Sequence, residues 1–280
     1  RRVRLPTMIA AIAGDIIGSI HERAHIKRTD FALFKPNSRF TDDTVMTLAV
    51  ADCLLHGEPY AATLRAYGRR YPDRGYGGMF RKWLARDDMG PYQSFGNGSA
   101  MRVSPVGFAM GSIDEVLAEA KRSAEVTHDH PEGIKGAQAL AVDVNRREFW
   151  MLAALAVAVF LARGGADKET IRGEIAGRFG YDMKRTVAGI RPRYKFDVTC
   201  QGSVPEAILA FLDSDDVEHA LRLAISLGGD ADTLACMAGA VAQAYYKRVP
   251  EAIVAEVQAR LTPELWALTQ AFCARHEVAC

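Results

Sequence analysis

Apolar residues recur along this chain at helical spacing. Thr44 to Leu55, Ile113 to Val126, Gly133 to Val142, Met151 to Ala162, Val204 to Phe211, Val217 to Leu227, Thr233 to Tyr246 and Glu251 to Leu261 each carry an apolar stripe that predicts an α-helix. Small residues crowd several of these stripes, as in Ala139 to Val142, Ala153 to Ala158 and Ala238 to Ala242. They favour the helical state and let neighbouring helices approach closely. Strict alternation is rare and no βαβ rhythm appears, so the expected fold is all-α. Turn chemistry punctuates the pattern at Tyr71-Pro72-Asp73-Arg74-Gly75, Gly96-Asn97-Gly98 and Arg191-Pro192-Arg193. No Ser/Gly-rich linker divides the chain, and one compact domain over residues 1–280 is expected.

Composition narrows the function classes. Lys plus Arg number 35 against 34 Asp plus Glu, a net charge of +1, which removes any composition-level case for nucleic-acid binding. Cys53, Cys200, Cys236, Cys273 and Cys280 form no Cys-x-x-Cys pair, and read as reduced thiols in a cytoplasmic setting. Arg1 to Arg4 followed by the apolar Met8 to Ile20 imitates a signal peptide. Gly14-Asp15 breaks that run, and no stretch reaches the roughly 20 apolar residues of a spanning helix. No membrane or nucleic-acid partner is expected.

Four clusters and a histidine loop carry candidate chemistry. Thr41-Asp42-Asp43-Thr44 and Asp230-Ala231-Asp232-Thr233 each precede an apolar helix. Helix capping alone would explain either one, with Thr41 as N-cap and acids in the first turn. Together they gather carboxylates and threonine hydroxyls, hard oxygen ligands suited to magnesium or manganese. Gly14-Asp15-Ile16-Ile17-Gly18, with Glu22 beyond it, presents two glycines at i and i+4, which would admit a close backbone or a ligand. Gly96-Asn97-Gly98-Ser99-Ala100-Met101-Arg102 could form a backbone nest for phosphate, with Ser99 adding a hydroxyl, although it lacks the Lys-Ser/Thr ending of a P-loop. Thr127-His128-Asp129-His130-Pro131 has no third ligand at zinc spacing and reads as a substrate-contacting loop.

Taken in chain order, the clusters resemble the ADP-ribosylglycohydrolase family. Its markers here are Ala13 to Ser19, Phe40 to Thr44, Gly96 to Arg102, Thr127 to Pro131 and Gly228 to Thr233. The resemblance implies an orthogonal all-α bundle around a cleft holding two Mg2+ or Mn2+ ions. It assigns metal contact to Thr41, Asp42, Asp43, Asp230, Asp232 and Thr233. Catalytic roles fall on Asp43, Asp232 and Glu22. Substrate contact falls on Glu22, Gly96, Asn97, Gly98, Ser99, Met101 and His128. The implied activity is removal of ADP-ribose from a modified protein or small-molecule acceptor, protein arginine first, by a cytoplasmic monomer. Loops around Tyr71 to Gly78 and Tyr194 to Gly202 are expected to select the acceptor. A homologue that binds ADP-ribose without turnover, and a dinuclear phosphoesterase, are the competing readings.

One segment departs from the family pattern. Ala139-Leu140-Ala141-Val142 recurs as Ala154-Leu155-Ala156-Val157, as if residues 143–152 were inserted. A shift of 15 residues at about 100° each leaves about 60° of phase error, so a bulge or loop is expected there.

Overall fold

A computed structural model describes residues 8–128 and 147–276. Their secondary structure is helical: α1 (Ile9–Gly18), α2 (Asp42–His56), α3 (Tyr60–Arg70), α4 (Gly78–Ala85), α5 (Gly98–Met101), α6 (Ser104–Ala109), α7 (Ile113–Glu125), α8 (Arg147–Arg163), α9 (Lys168–Phe179), α10 (Val187–Ile190), α11 (Cys200–Leu212), α12 (Val217–Ile225), α13 (Ala231–Tyr246), α14 (Glu251–Arg260) and α15 (Pro263–Arg275). Among the described residues the β structure is one isolated antiparallel bridge, Gly96 to Thr199. The all-α class is as expected. The predicted helix over Gly133 to Val142 lies outside the described residues. So does the start of the 143–152 segment, whose last residues already belong to α8.

The core is built on α1 against α13. Every residue of α1 is buried, so it has no polar stripe and its apolar run could pass for a leader sequence. The α13 helix is buried from Ala231 to Ala244. The two backbones touch. A Cβ on Gly14 would stand 2.2 Å from the Ala235 carbonyl oxygen, and one on Gly18 would stand 2.4 Å from Asp232 Cα. No side chain fits at either distance, so these glycines are required by packing. The first turn of α1 leaves backbone N–H groups without helical partners. Gln243 on α13 takes up one of them, its Oε1 accepting from Ala10 N at 2.7 Å.

Around this pair pack α2, α8, α11 and α12. The consequence for function is positional. The N-termini of α2 and α13, each starting with acids, are brought to the same end of the molecule with α1 clamped between them.

Candidate active site

Asp15 organises the acidic side. It is fully buried and accepts from Thr41 N at 2.8 Å, Thr41 Oγ1 at 2.6 Å and Thr44 N at 3.1 Å, with a further short bond from Thr44 Oγ1. Its carboxylate thus caps the N-terminus of α2 from another helix, where the dipole favours an anion. Thr41 is the N-cap as expected, its hydroxyl oxygen 3.4 Å from Asp43 N. Asp43 is buried, with Thr233 Oγ1 donating to its Oδ2 at 3.3 Å. Its Oδ1 is buried with no hydrogen-bond partner. From α13, Asp232 Oδ1 accepts from Thr233 N at 3.0 Å, and Asp230 is held by Asn97 Nδ2 at 2.7 Å.

Carboxylate oxygens of Asp15, Asp43 and Asp232 lie within 4.8 Å of one another. Burial, then the neighbouring acids, push the Asp43 and Asp232 carboxyls far above their ordinary range. Burial and the Asp15 charge push Asp42 up to about 8. Burial raises Asp15 and Asp230 also, and raises Glu22 with help from Asp230. Like charges this close and this buried stay ionised only beside a cation. The unpartnered Asp43 Oδ1, the convergent carboxylates and two threonine hydroxyls fit a hard divalent ion.

Of these groups Glu22, Thr41, Asp42, Asp43, Asp230, Asp232 and Thr233 line a cavity of about 730 Å³, with Asp15 buried behind them. The glycine-rich loop, with His128 and Arg102, forms a second part of the lining and meets the acids where Asn97 bonds Asp230. Asn97 N donates to Val198 O at 2.7 Å, which ties this loop to the start of α11. Gly96 O accepts from His128 Nε2 at 3.0 Å. Both anticipated selector loops reach the cavity, through Arg74, Gly75, Gly77 and Gly78 on one side and Phe196 and Val198 on the other.

Most residues named from the sequence therefore meet. Thr41, Asp42, Asp43, Asp230, Asp232, Thr233, Glu22, Gly96, Asn97, Gly98, Met101 and His128 all line the cavity. Ser99 does not. It is fully buried with its hydroxyl 3.9 Å from Cys200 Sγ, because α5 begins at Gly98 and turns that side chain into the core. The tight carboxylate group also differs from the expected set, since Asp15 joins Asp43 and Asp232. The available signal was a lone acid inside an otherwise apolar helix.

The sequence profile of the ADP-ribosylglycohydrolase family matches residues 4–279, and the chain belongs to that family. It is 30% identical to ADP-ribosylhydrolase ARH3 of Homo sapiens, over 87% of this chain and 86% of that protein. Identity to ADP-ribosylhydrolase ARH3 of Mus musculus is 29%, over 87% and 84%. A solved structure, an ADP-ribosylglycohydrolase-related protein complex, matches with a TM-score of 0.69 at 25% identity, covering 98% of this chain and 97% of that one.

Proposed function

We propose that this chain, as one catalytic domain, is a divalent-metal-dependent hydrolase that releases ADP-ribose from a modified acceptor by cleaving the bond at C1″ of the ribose. The observation that carries this reading is the convergence of Asp15, Asp43 and Asp232 within 4.8 Å beneath a cavity faced by the glycine-rich loop. Kinship with proteins named ADP-ribosylhydrolase supports the choice of substrate.

Asp43, Asp232, Asp42 and Asp230, with Thr41 and Thr233, would hold two magnesium or manganese ions. Such ions, when bound, supply Lewis-acid polarisation of a water and fixed contacts for ribose hydroxyls. Cleavage develops oxocarbenium character on the ribose and negative charge on the departing acceptor. Glu22, half-buried at the cavity and raised by burial, would give the acceptor its proton. Asp15 keeps Thr41 and the first turn of α2 in register, and Asn97 orients Asp230. The glycine-rich loop and His128 receive the rest of the ADP-ribose. Protein arginine is the acceptor proposed first, since it departs as neutral guanidine once protonated. A cytoplasmic monomer completes the reading; among the described residues no helix is long and apolar enough to cross a membrane.

The test is incubation with peptides ADP-ribosylated on arginine and on serine, with added Mg2+ or Mn2+, and chromatography of the products. Free ADP-ribose is expected, faster from the arginine peptide. ADP-ribose binding without product would reject the hydrolase, and release of phosphate would point to a phosphoesterase.

A further inference from the structure

We propose that Arg102 is a positioning residue: acting through Thr127, it orients His128 and ties the glycine-rich loop to the C-terminus of α7. The proposal rests on the ADP-ribose reading for what the cavity binds, while the network itself rests on the hydrogen bonds of this structure.

Arg102 is 1% exposed and lies at the end of α5, against the cavity. A buried guanidinium is costly unless its charge is compensated. Among the described residues no carboxylate pairs with it. Instead, one terminal nitrogen donates to Ser123 O at 3.0 Å and to Thr127 Oγ1 at 3.0 Å. Ser123 lies in the last turn of α7, where carbonyls lack helical partners and the dipole attracts a cation. Arg102 Nε is buried with no partner, so the bonds to Ser123 and Thr127 set the orientation of the group.

Proton directions in the network are forced. Gly96 O can only accept, so His128 Nε2 carries the hydrogen. Burial and the nearby Arg102 charge push the His128 imidazole down to about 3 and keep it neutral. Its Nδ1 therefore accepts from Thr127 Oγ1 at 2.7 Å. Having given its single proton away, the Thr127 hydroxyl can receive Arg102 only through its lone pairs. The order is Arg102 to Thr127 to His128 to Gly96. The Thr127 carbonyl accepts from Tyr92 N and Ser94 N, both at 3.3 Å. One threonine thus gathers the histidine, the buried cation and the segment leading into the loop.

The experiment uses the full chain with ¹⁵N-labelled histidine, reading the His128 ring by NMR and ADP-ribose affinity by calorimetry. In the wild type, His128 should give a neutral ring protonated at Nε2, with Nδ1 at the shift of a hydrogen-bonded acceptor. Thr127→Val should move Nδ1 to the unbonded position and raise Kd about tenfold. Arg102→Met should move the same resonance although Thr127 is intact, because the hydroxyl is then free to turn to Ala124 O, 3.4 Å away. Where Arg102→Met cannot be isolated, Arg102→Lys decides. Its ammonium is expected to give a smaller shift in the same direction, with no further loss of affinity in the Thr127→Val background. An unmoved His128 ring in the Arg102 variant, or losses that simply add, would overturn the proposal. A network that responds as stated in a protein that binds no ADP-ribose supports the positioning role and refutes the ADP-ribose reading of the cavity.

Discussion

The two walls of the cavity are built by opposite means. The acidic wall is made of side chains on the N-termini of α2 and α13, the latter locked by backbone contact with α1 at Gly14 and Gly18 and the former by Asp15. The other wall is made of loop backbone, held by hydrogen bonds to carbonyls and by the buried cation Arg102. One wall concentrates charge that its own packing cannot neutralise. The other holds its one buried cation with carbonyl and hydroxyl oxygens and reaches the acids through Asn97, which donates to Asp230. A rigid, overcharged surface suits cation binding and bond cleavage, whereas a paired backbone surface suits recognition. Substitutions should therefore have different consequences on the two sides.

The largest difference is expected at Asp43. Asp43→Asn should lower turnover on the order of a thousandfold, the loss of several kcal/mol of metal-dependent stabilisation. Metal-free thermal stability should hold or rise, because the buried negative charges repel less. Kinetics and thermal unfolding of the same preparation check both halves. Next is Gly18→Ala, whose Cβ would stand 2.4 Å from Asp232 Cα. It should destabilise by about 3 kcal/mol and displace Asp232. On the other wall Gly98→Ala meets nothing within 4 Å and should leave the denaturation midpoint unchanged. Equal losses from the two glycine variants would erase the contrast.

Asp15→Asn should cost about 2 kcal/mol, since an amide cannot accept from all four donors now on that carboxylate. Turnover should fall roughly 10–100-fold by loss of Thr41 positioning. Acidity separates the walls further. The ordinary Asp value is 3.8, and Asp42 is raised to about 8 in the folded chain. The folded state thus keeps protons that the unfolded chain has released, and this stabilisation, complete below about 4, is lost as pH rises through about 8. Metal-free protein should show a melting temperature that falls from pH 5 to pH 8, and saturating Mg2+ should flatten that slope. A flat metal-free profile would contradict the buried-acid description. A smaller loss than at Asp15 is expected at Ser112→Ala, which removes the α7 N-cap at the end remote from Arg102. It should cost about 1 kcal/mol without altering turnover.

How much of this was legible in the sequence follows the same division. The helices of α2, α7, α12, α13 and α14 could be read because their apolar stripes are regular, and both acidic clusters announced themselves before such stripes. The α1 helix, buried on every side, shows no stripe and was legible through the i and i+4 spacing of Gly14 and Gly18. The α15 helix carries a Thr262 cap and Pro263 at its first position, a usable start signal that an apolar-stripe reading passes over. The α5 helix was read as loop because Gly96-Asn97-Gly98 is turn chemistry, and that single turn of helix is what points Ser99 away from the cavity. Arg102 sat inside a recognised motif with no role, since its function depends on Thr127 and α7, partners that no local pattern reveals.

The central claim is that the acidic wall, charged with a divalent ion, cleaves the ribosyl bond. It is tested most directly by following free ADP-ribose released from an arginine-ADP-ribosylated peptide by chelator-treated protein, before and after Mg2+ or Mn2+ is restored. The prediction is negligible release without metal, rapid release with it, and almost none from Asp43→Asn under either condition. Release that ignores both the chelator and the Asp43 substitution would contradict it.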